Sequence, residues 1–304
     1  MYKLNLPKKV YFKTGSYTVA LRELSEVYHR KRAFVVSDRQ LYTGGVVTPV
    51  IRWVEKQGLR TAEYFSVEDV PTFATLRTAL PSVLAFKPDA IIGVGGGAAM
   101  SAAKALWALY ENPELDLASA VKDPTLLHTG DKALLALVAT SFGSGAQNSP
   151  FTVLRDDEGK LVQLESQCLL PVVSSTDAMF TASMTAAQVH RAGAKTLAQA
   201  MRALAAEDCC EYPGGLLDQA IGCILQDLKA AEEGCPAARE RVHDAAGIAG
   251  AAYGNVTLPA DVETRLSPMA AQELVGNARV AHLARKLGYA DAAALVKACE
   301  AIYG

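Results

Sequence analysis

The first half of the chain alternates short apolar runs with amphipathic segments, and this alternation constrains the fold more than any other feature. The apolar runs have the length and composition of buried parallel strands. They cover residues 33–37, 62–65, 90–94 and 133–139. The segments between them carry apolar residues at helical spacing. They cover residues 41–57, 72–84 and 98–110. This alternation predicts an α/β fold with a doubly wound parallel sheet.

The second half follows a different pattern. After a predicted β-hairpin over 151–164, strand patterns end at about Thr181 and Ala-rich amphipathic segments take over. The predicted helices cover residues 186–204, 216–233, 236–253, 270–287 and 291–302, and long loops are predicted at 207–215 and 257–268. We therefore predict two domains, an α/β domain over 1–180 and an all-helical domain over 181–304.

Composition narrows the function classes. The 304 residues carry a formal net charge of −2, with 50% hydrophobic and 20% charged residues, as expected of a globular protein. Near-neutral charge argues against binding to nucleic acid or to a membrane surface. We expect a cytoplasmic protein, because the sequence shows neither a signal-peptide core nor an apolar run of membrane-spanning length. The six cysteines are scattered without a CxxC pair, which favours reduced thiols.

The strongest local motif is the run Gly95-Gly96-Gly97 between a predicted strand and a predicted helix. Free N–H groups and the helix dipole make such a turn an anion site, and glycine lets a pyrophosphate approach closely. The alternative is a simple tight turn. A second polar turn, Thr140 to Gly145, follows the next strand, and ligands collect where parallel strands end.

Asp38 ends the first predicted strand and has two interpretations. A carboxylate there can bind the ribose hydroxyls of NAD and repel the 2′-phosphate of NADP. Equally, it can cap the helix that follows. The five histidines lack metal-binding spacing, and no serine lies in a nucleophile-elbow context, so the residues alone indicate no catalytic group.

The chain resembles the iron-containing (group III) alcohol dehydrogenases, and especially the alcohol dehydrogenase half of the bifunctional aldehyde–alcohol dehydrogenases. The matching stretches are 6–15, 35–39, 86–97, 102–107, 149–151 and 239–250. The resemblance implies an N-terminal dinucleotide-binding domain followed by a helical metal domain, which here is shorter than in the family.

The resemblance also implies a set of cofactor contacts, several of which are altered. The family pattern GGGSxxD is Gly-Gly-Gly-Ala-Ala-Met-Ser here, so Ala98 replaces the serine and Ser101 replaces the aspartate. A lysine of the family's hairpin falls on Leu161. The expected dinucleotide-binding residues are Asp38, Gly95, Gly96, Gly97, Ser101, Thr140, Ser141, Ser144 and Ser149. We expect weak NAD binding.

The family's metal ligands, an aspartate and three histidines, are missing by the same alignment. The four positions hold Lys195, Gln199, Val262 and Gly276. A lysine ammonium repels a divalent cation, so we expect no metal and assign no catalytic residue.

Three functions follow as hypotheses. The first is a catalytically silent relative of these dehydrogenases that keeps an NAD(H)-binding fold, as a homodimer or beside an active paralogue. The second is an active NAD-dependent alcohol or aldehyde oxidoreductase that works without the family metal, with Lys195 supplying a fixed charge. The third is a nucleotide-sensing binding module.

Overall fold

A computed structural model describes residues 3–257 and 268–303 of the chain. The strands are β1 (Lys9–Phe12), β2 (Arg32–Asp38), β3 (Arg60–Val67), β4 (Ala90–Gly95), β5 (Leu134–Ala139), β6 (Phe151–Arg155), β7 (Leu161–Glu165) and β8 (Val173–Thr176). Helices of the first half are α1 (Ser16–Glu26), α2 (Arg39–Thr43), α3 (Thr48–Lys56), α4 (Phe73–Phe86), α5 (Gly97–Glu111) and α6 (Leu117–Lys122). Those of the second half are α7 (Ala186–Ala205), α8 (Glu211–Glu232), α9 (Pro236–Tyr253), α10 (Pro268–Val275), α11 (Ala278–Lys286) and α12 (Ala292–Tyr303).

The chain forms two compact units. The sheet unit comprises residues 6–140 and 146–180. The helical unit comprises residues 3–5, 141–145 and the described residues from 181 onward. Residues 141–145 of the polar turn after β5 therefore belong to the helical unit, although they interrupt the sheet unit in sequence. The division into two domains between residues 180 and 181 stays a prediction.

The sheet unit confirms the predicted α/β fold class. Its six-stranded sheet is parallel throughout, in the order β1-β8-β5-β4-β2-β3. Alternate residues of the central strands are buried on opposite faces: Phe34 and Ile91 contribute to one apolar cluster, Val35 and Ile92 to the other. Sheet burial on both faces explains why these strands are continuous apolar runs in the sequence.

Several predicted elements were wrong in detail. The single helix predicted over 41–57 is two helices, because Gly44 and Gly45 (φ +76°) end α2. The helix predicted over 270–287 is divided by Asn277, whose side chain caps α11. Part of the loop predicted at 207–215 is the start of α8. Strands β1 and β8 were not predicted. Most of the loop predicted at 257–268 lies outside the described residues.

Candidate functional site

The glycine turn between β4 and α5 is shaped for the close approach of a ligand. Gly95 ends β4 with φ +152°, and a Cβ added to it would lie 2.6 Å from the Cβ of Ala99. Gly96 is the N-cap of α5 and has no side chain to accept a hydrogen bond from the first turn. The backbone N–H groups that begin α5 are therefore available to an anion, with the positive end of the helix dipole behind them.

Strand order places this turn at the switch point of the sheet. From β2 the chain moves to β3 on one side and then to β4 on the other. Ligands of doubly wound sheets bind outside the carboxyl ends of the strands at such a reversal. The carboxyl ends concerned carry Asp38 on β2 and Gly95 on β4, which are both members of the predicted dinucleotide site.

Asp38 caps α2, as the second interpretation of this residue proposed. Its Oδ1 accepts a hydrogen bond of 2.8 Å from the N–H of Leu41. The other carboxylate oxygen faces the glycine turn, since a Cβ on Gly95 would lie 3.7 Å from Oδ2. The helix cap therefore uses Oδ1 of Asp38, and Oδ2 lies beside the glycine turn. Contact with a ribose stays a prediction.

Lys104 lies entirely within the sheet unit and is fully buried in the middle of α5. Its Nζ donates hydrogen bonds to the carbonyl oxygens of Ala146 (2.7 Å), Ser149 (2.5 Å) and Phe151 (2.9 Å). Burial lowers the pKa of this ammonium to about 7. Lys104 thus ties the helix that begins at the glycine turn to the segment that leads into the hairpin. No role was predicted for Lys104 from the sequence, although a lone lysine amid the apolar residues of α5 was a signal of its burial.

The remaining predicted cofactor residues divide between the two units. Thr140 and Ser149 are buried in the sheet unit, and the N–H of Thr140 donates to Gly95 O at 3.0 Å. Ser101 is also buried there, and its Oγ accepts a 3.4 Å hydrogen bond from the N–H of Val153. Ser141 and Ser144 belong to the helical unit. The sheet unit alone brings together seven of the nine predicted residues.

Within the helical unit, the turn over residues 141–145 packs tightly against two helices. A Cβ on Gly143 would lie 3.1 Å from the Cα of Ala192 on α7. A Cβ on Gly250 of α9 would lie 2.1 Å from the carbonyl oxygen of Gly145. Backbone therefore meets backbone at Gly145 and Gly250, which explains glycine at both positions.

Of the positions predicted from the sequence to align with the family's metal ligands, three are described and lie in this unit. Lys195 and Gln199 lie four residues apart on α7 and so share a face. Gly276 lies between α10 and α11, and Val262 lies outside the described residues. Burial lowers the pKa of Lys195. Over residues 3–257 and 268–303, no three His, Cys, Asp or Glu side chains form a group able to hold a metal ion.

His243 on α9 is fully buried beside the turn, with its ring centroid 5.9 Å from that of Phe142. Within the described part of the chain, neither ring nitrogen makes a hydrogen bond. Burial lowers the pKa of His243 to about 3, and the nearby backbone of Ser141 opposes this shift weakly. The imidazole is therefore neutral at physiological pH and packs as an aromatic ring.

Comparison with known proteins decides the family. Residues 7–178 match the family model described as iron-containing alcohol dehydrogenase. The chain belongs to this family. The matched residues span the sheet unit almost completely and end close to where the helical segments begin.

Individual relatives agree with this membership. The chain is 34% identical over 270 residues to aldehyde-alcohol dehydrogenase 2 of Entamoeba histolytica, covering 84% of this chain and 30% of that protein. It is 35% identical over 268 residues to the bifunctional aldehyde-alcohol dehydrogenase of Escherichia coli, covering 83% of this chain and 30% of that protein. The chain thus spans about a third of the length of these two relatives.

A solved structure shows the same fold at low sequence identity. Sulfoacetaldehyde reductase from Bifidobacterium kashiwanohense, in complex with NAD+, superimposes with a TM-score of 0.85 at 17% identity. The match covers 99% of this chain and 85% of that one. In the described portion of the molecule, no helix is both long and apolar enough to cross a membrane.

Proposed function

We propose that this chain binds NAD(H) at the β4–α5 turn but lacks the divalent metal of its family, so that it is silent in alcohol oxidation. One contrast carries this proposal. The glycine turn at the switch point keeps backbone N–H groups that can bind a pyrophosphate, whereas the face of α7 formed by Lys195 and Gln199 (the α7 face) lacks the side chains that bind a divalent metal. The relatives described above are named for aldehyde and alcohol dehydrogenation, and activity in this chain would have to arise without their metal chemistry.

The residues of the sheet unit fit a dinucleotide. The backbone of Gly95 leaves no room for a Cβ, and the start of α5 presents N–H groups suited to a pyrophosphate. The Asp38 carboxylate beside the turn suits the ribose hydroxyls of NAD and opposes a 2′-phosphate. When bound, NAD would accept or donate a hydride. This chain's residues would hold and orient it.

The residues of the α7 face do not fit a catalytic divalent metal. The Lys195 ammonium carries positive charge, and the neutral Gln199 amide offers one weak oxygen donor. Hydride transfer by members of this family needs a Lewis acid, which polarises the substrate carbonyl and stabilises the alkoxide. A regulatory or structural role, as a homodimer or beside an active paralogue, follows from this proposal.

The competing function is oxidoreduction without a metal, with Lys195 as a fixed charge. The half-buried position of Lys195 on α7 is the observation in its favour. Lys195→Ala would abolish a measurable turnover under that alternative. It would leave NADH binding unchanged under both.

Metal analysis and a cofactor titration test the proposal together. After mild chelation, elemental analysis should find no stoichiometric iron or zinc, and NADH should bind saturably with one site per chain. Gly95→Val should weaken NADH binding at least about tenfold, because the added side chain fills the turn and strains a positive φ. Gly130→Val is the control, since Gly130 also has a positive φ (+97°) but open space around its Cβ position. One tightly held metal per chain, or equal NADH affinity in both variants, would overturn the proposal.

A further inference from the structure

The outer edge of β1 presents apolar side chains that no other described segment covers. β1 is the last strand at one side of the sheet, so only β8 pairs with it. Val10 is 37% exposed and Phe12 is 57% exposed, and both lie on one face of the strand because side chains alternate. Leu6, just before the strand, is also exposed. Soluble proteins rarely leave an apolar strand edge open, because it pairs readily with another chain.

The backbone of β1 also has hydrogen-bonding groups that point away from the sheet. The N–H of Lys9 donates to Val172 O at 3.1 Å. Backbone groups of successive strand residues point to opposite sides, so Lys9 and Tyr11 face β8. The N–H and C=O groups of Val10 and Phe12 therefore point outward, where no strand of the described residues pairs with them. A further strand could add to the sheet here.

The opposite edge of the same sheet is protected by charge. β3 is the other edge strand, and its exposed side chains include Arg60 and Glu63. Charged side chains on an edge strand discourage pairing with another chain. Within β1 the only charged side chain is Lys9, whose ammonium forms a 2.8 Å ion pair with Glu23 of α1 on the other face of the strand. Of the two edges, the β1 edge is therefore the one suited to pairing.

We propose that β1 pairs with β1 of a second copy of this chain, antiparallel and about a two-fold axis perpendicular to the sheet. Such an axis keeps the apolar side chains of both copies on one face of a continuous sheet. With the axis at Tyr11, Val10 of each copy lies opposite Phe12 of the other, and such aromatic–β-branched pairs stabilise sheets. This surface would form the homodimer that the proposed function allows, and the inference holds whether or not NAD(H) binds.

Helix α1 supports a second copy as the partner. Val19 and Glu23 lie four residues apart on α1 and so share a face, and Glu23 reaches β1 through its ion pair with Lys9. The exposed side chain of Val19 therefore lies on the side of α1 that faces the outer edge of β1. Two-fold pairing of the strands brings the two α1 helices side by side and covers Val19 in both copies.

The distribution of charge favours the antiparallel direction. Lys13 directly follows β1, whereas the Glu23 carboxylate lies beside Lys9, the first residue of the strand. In the antiparallel arrangement, Lys13 of each copy lies level with the Glu23 carboxylate of the other. A parallel copy in register would place Lys13 opposite Lys13, and like charges directly opposite each other are unfavourable.

Sedimentation equilibrium of the full chain tests the proposal. The unaltered protein should be a dimer at about 10 μM, since interfaces of standard size have dissociation constants from micromolar downward. Val10→Pro removes an outward N–H that β8 does not use, and Phe12→Lys places a charge among the apolar side chains. Each variant should raise the dissociation constant of the dimer at least about tenfold, as expected for a central interface residue. Circular dichroism checks that each variant is folded.

Each variant has a matched control. Glu63→Pro removes an outward N–H from the β3 edge, because the N–H of Arg60 bonds towards β2 and backbone groups alternate along the strand. Leu126→Lys places the same charge on another exposed apolar side chain of the sheet unit. Neither control should change the dissociation constant.

Two results would overturn the proposal. One is an unaltered protein that is monomeric at about 10 μM, a concentration at which a standard interface is occupied. The other is a dimer that Phe12→Lys weakens no more than Leu126→Lys does, and this comparison stands even where Val10→Pro fails to fold. Neither result bears on NADH affinity, which the titration above measures separately.

Discussion

The glycine turn of the sheet unit and the Lys195–Gln199 face of α7 in the helical unit differ in what would bind a ligand: backbone at the turn, side chains on the helix. At the turn, ligand recognition depends on backbone N–H groups and on the absence of side chains, so the Ala98 and Ser101 replacements leave the anion site in place. At the α7 face, recognition of a metal depends entirely on side-chain donors, and Lys195 and Gln199 supply a different chemistry. A backbone site tolerates sequence change that a side-chain site does not.

The largest expected effect is on catalysis and tests this contrast directly. We predict no detectable oxidation of ethanol, propanol or 1,2-propanediol with NAD, with or without added ferrous iron or zinc. Loss of the electrostatic contacts of a metal site should cost on the order of a millionfold in rate. The measurement is NADH formation, with a metal-bearing family member assayed in parallel. Steady turnover that Lys195→Ala abolishes would favour the competing function.

Introducing metal-binding side chains at the aligned positions probes the same contrast from the other direction. Lys195→Asp, Gln199→His and Val262→His combined should still give no enzyme, because the fourth ligand position, aligned with Gly276, would still hold a glycine. The measurement is the same NADH assay with added iron. Activity gained by the triple variant alone would show that only the ligands had been lost.

Each unit contains a fully buried ionisable group: Lys104 in the sheet unit and His243 in the helical unit. The Lys104 amine has hydrogen-bond acceptors. Lys104→Met should lower the free energy of unfolding by about 3 kcal/mol near pH 10, where the cost of the lowered pKa is nearly gone and the buried carbonyl oxygens still lose their donor. Lys122→Met, at an exposed lysine of α6, is the control and should change it by under about 0.5 kcal/mol. Denaturant unfolding measures both.

The pH dependence of Lys104 has a defined sign. Its pKa is about 7 in the folded chain, against 10.5 for an unperturbed lysine, so the unfolded state binds more protons between these values. The stability of the unaltered protein should therefore gain a rising contribution as the pH increases from about 7 towards 10.5. Lys104→Met should lack this contribution, and identical slopes for the two proteins would contradict the assignment.

His243 is the unsatisfied counterpart in the helical unit. With a folded pKa of about 3 and an unperturbed value of 6.5, it has no pH-dependent effect above pH 6.5, and it penalises the folded state increasingly as the pH falls from 6.5 towards 3. His243→Phe should therefore raise stability at pH 4.5 by about 2–3 kcal/mol relative to its effect at pH 7.5. His282→Phe, at an exposed histidine of α11, should show no such difference. Parallel pH curves for His243→Phe and the unaltered protein would refute the burial argument.

The smallest effect concerns the choice of cofactor at the glycine turn. Asp38→Asn keeps a good N-cap for α2 but removes the negative charge beside Gly95. It should improve NADPH binding by about tenfold relative to NADH. Asp116→Asn, at the N-cap of α6, is a matched control that should leave the ratio unchanged. Equal NADH and NADPH affinities in the unaltered protein would contradict the role of Asp38.

The sequence predicted the parts of the fold that local pattern determines. Strands such as β4 are unbroken apolar runs because both faces are buried, and the glycines after β4 mark the turn. Strand β8 escaped prediction because it reads Val-Ser-Ser-Thr and yet is fully buried. Its serines are satisfied at a distance, Ser174 by Asn148 and Ser175 by Ser16.

The candidate site likewise contains features that depend on neighbouring residues and features that depend on residues far away in the sequence. The turn over 95–97 and the cap at Asp38 depend on neighbouring residues, so pattern sufficed to find them. The role of Lys104 depends on carbonyl groups 42 to 47 residues later in the chain, which no local pattern reveals. The assignment of residues 141–145 to the helical unit likewise depends on the distant contact between Gly145 and Gly250.

The most direct test of the contrast between the two regions is an NADH titration that is monitored by fluorescence. It is carried out once with a chelator and once with saturating zinc. We predict saturable binding, with one site per chain and the same dissociation constant in both conditions, because the proposed nucleotide site consists of backbone and we expect no metal at the Lys195–Gln199 face of α7. Absence of binding in both conditions, or binding that zinc strengthens tenfold or more, would contradict it.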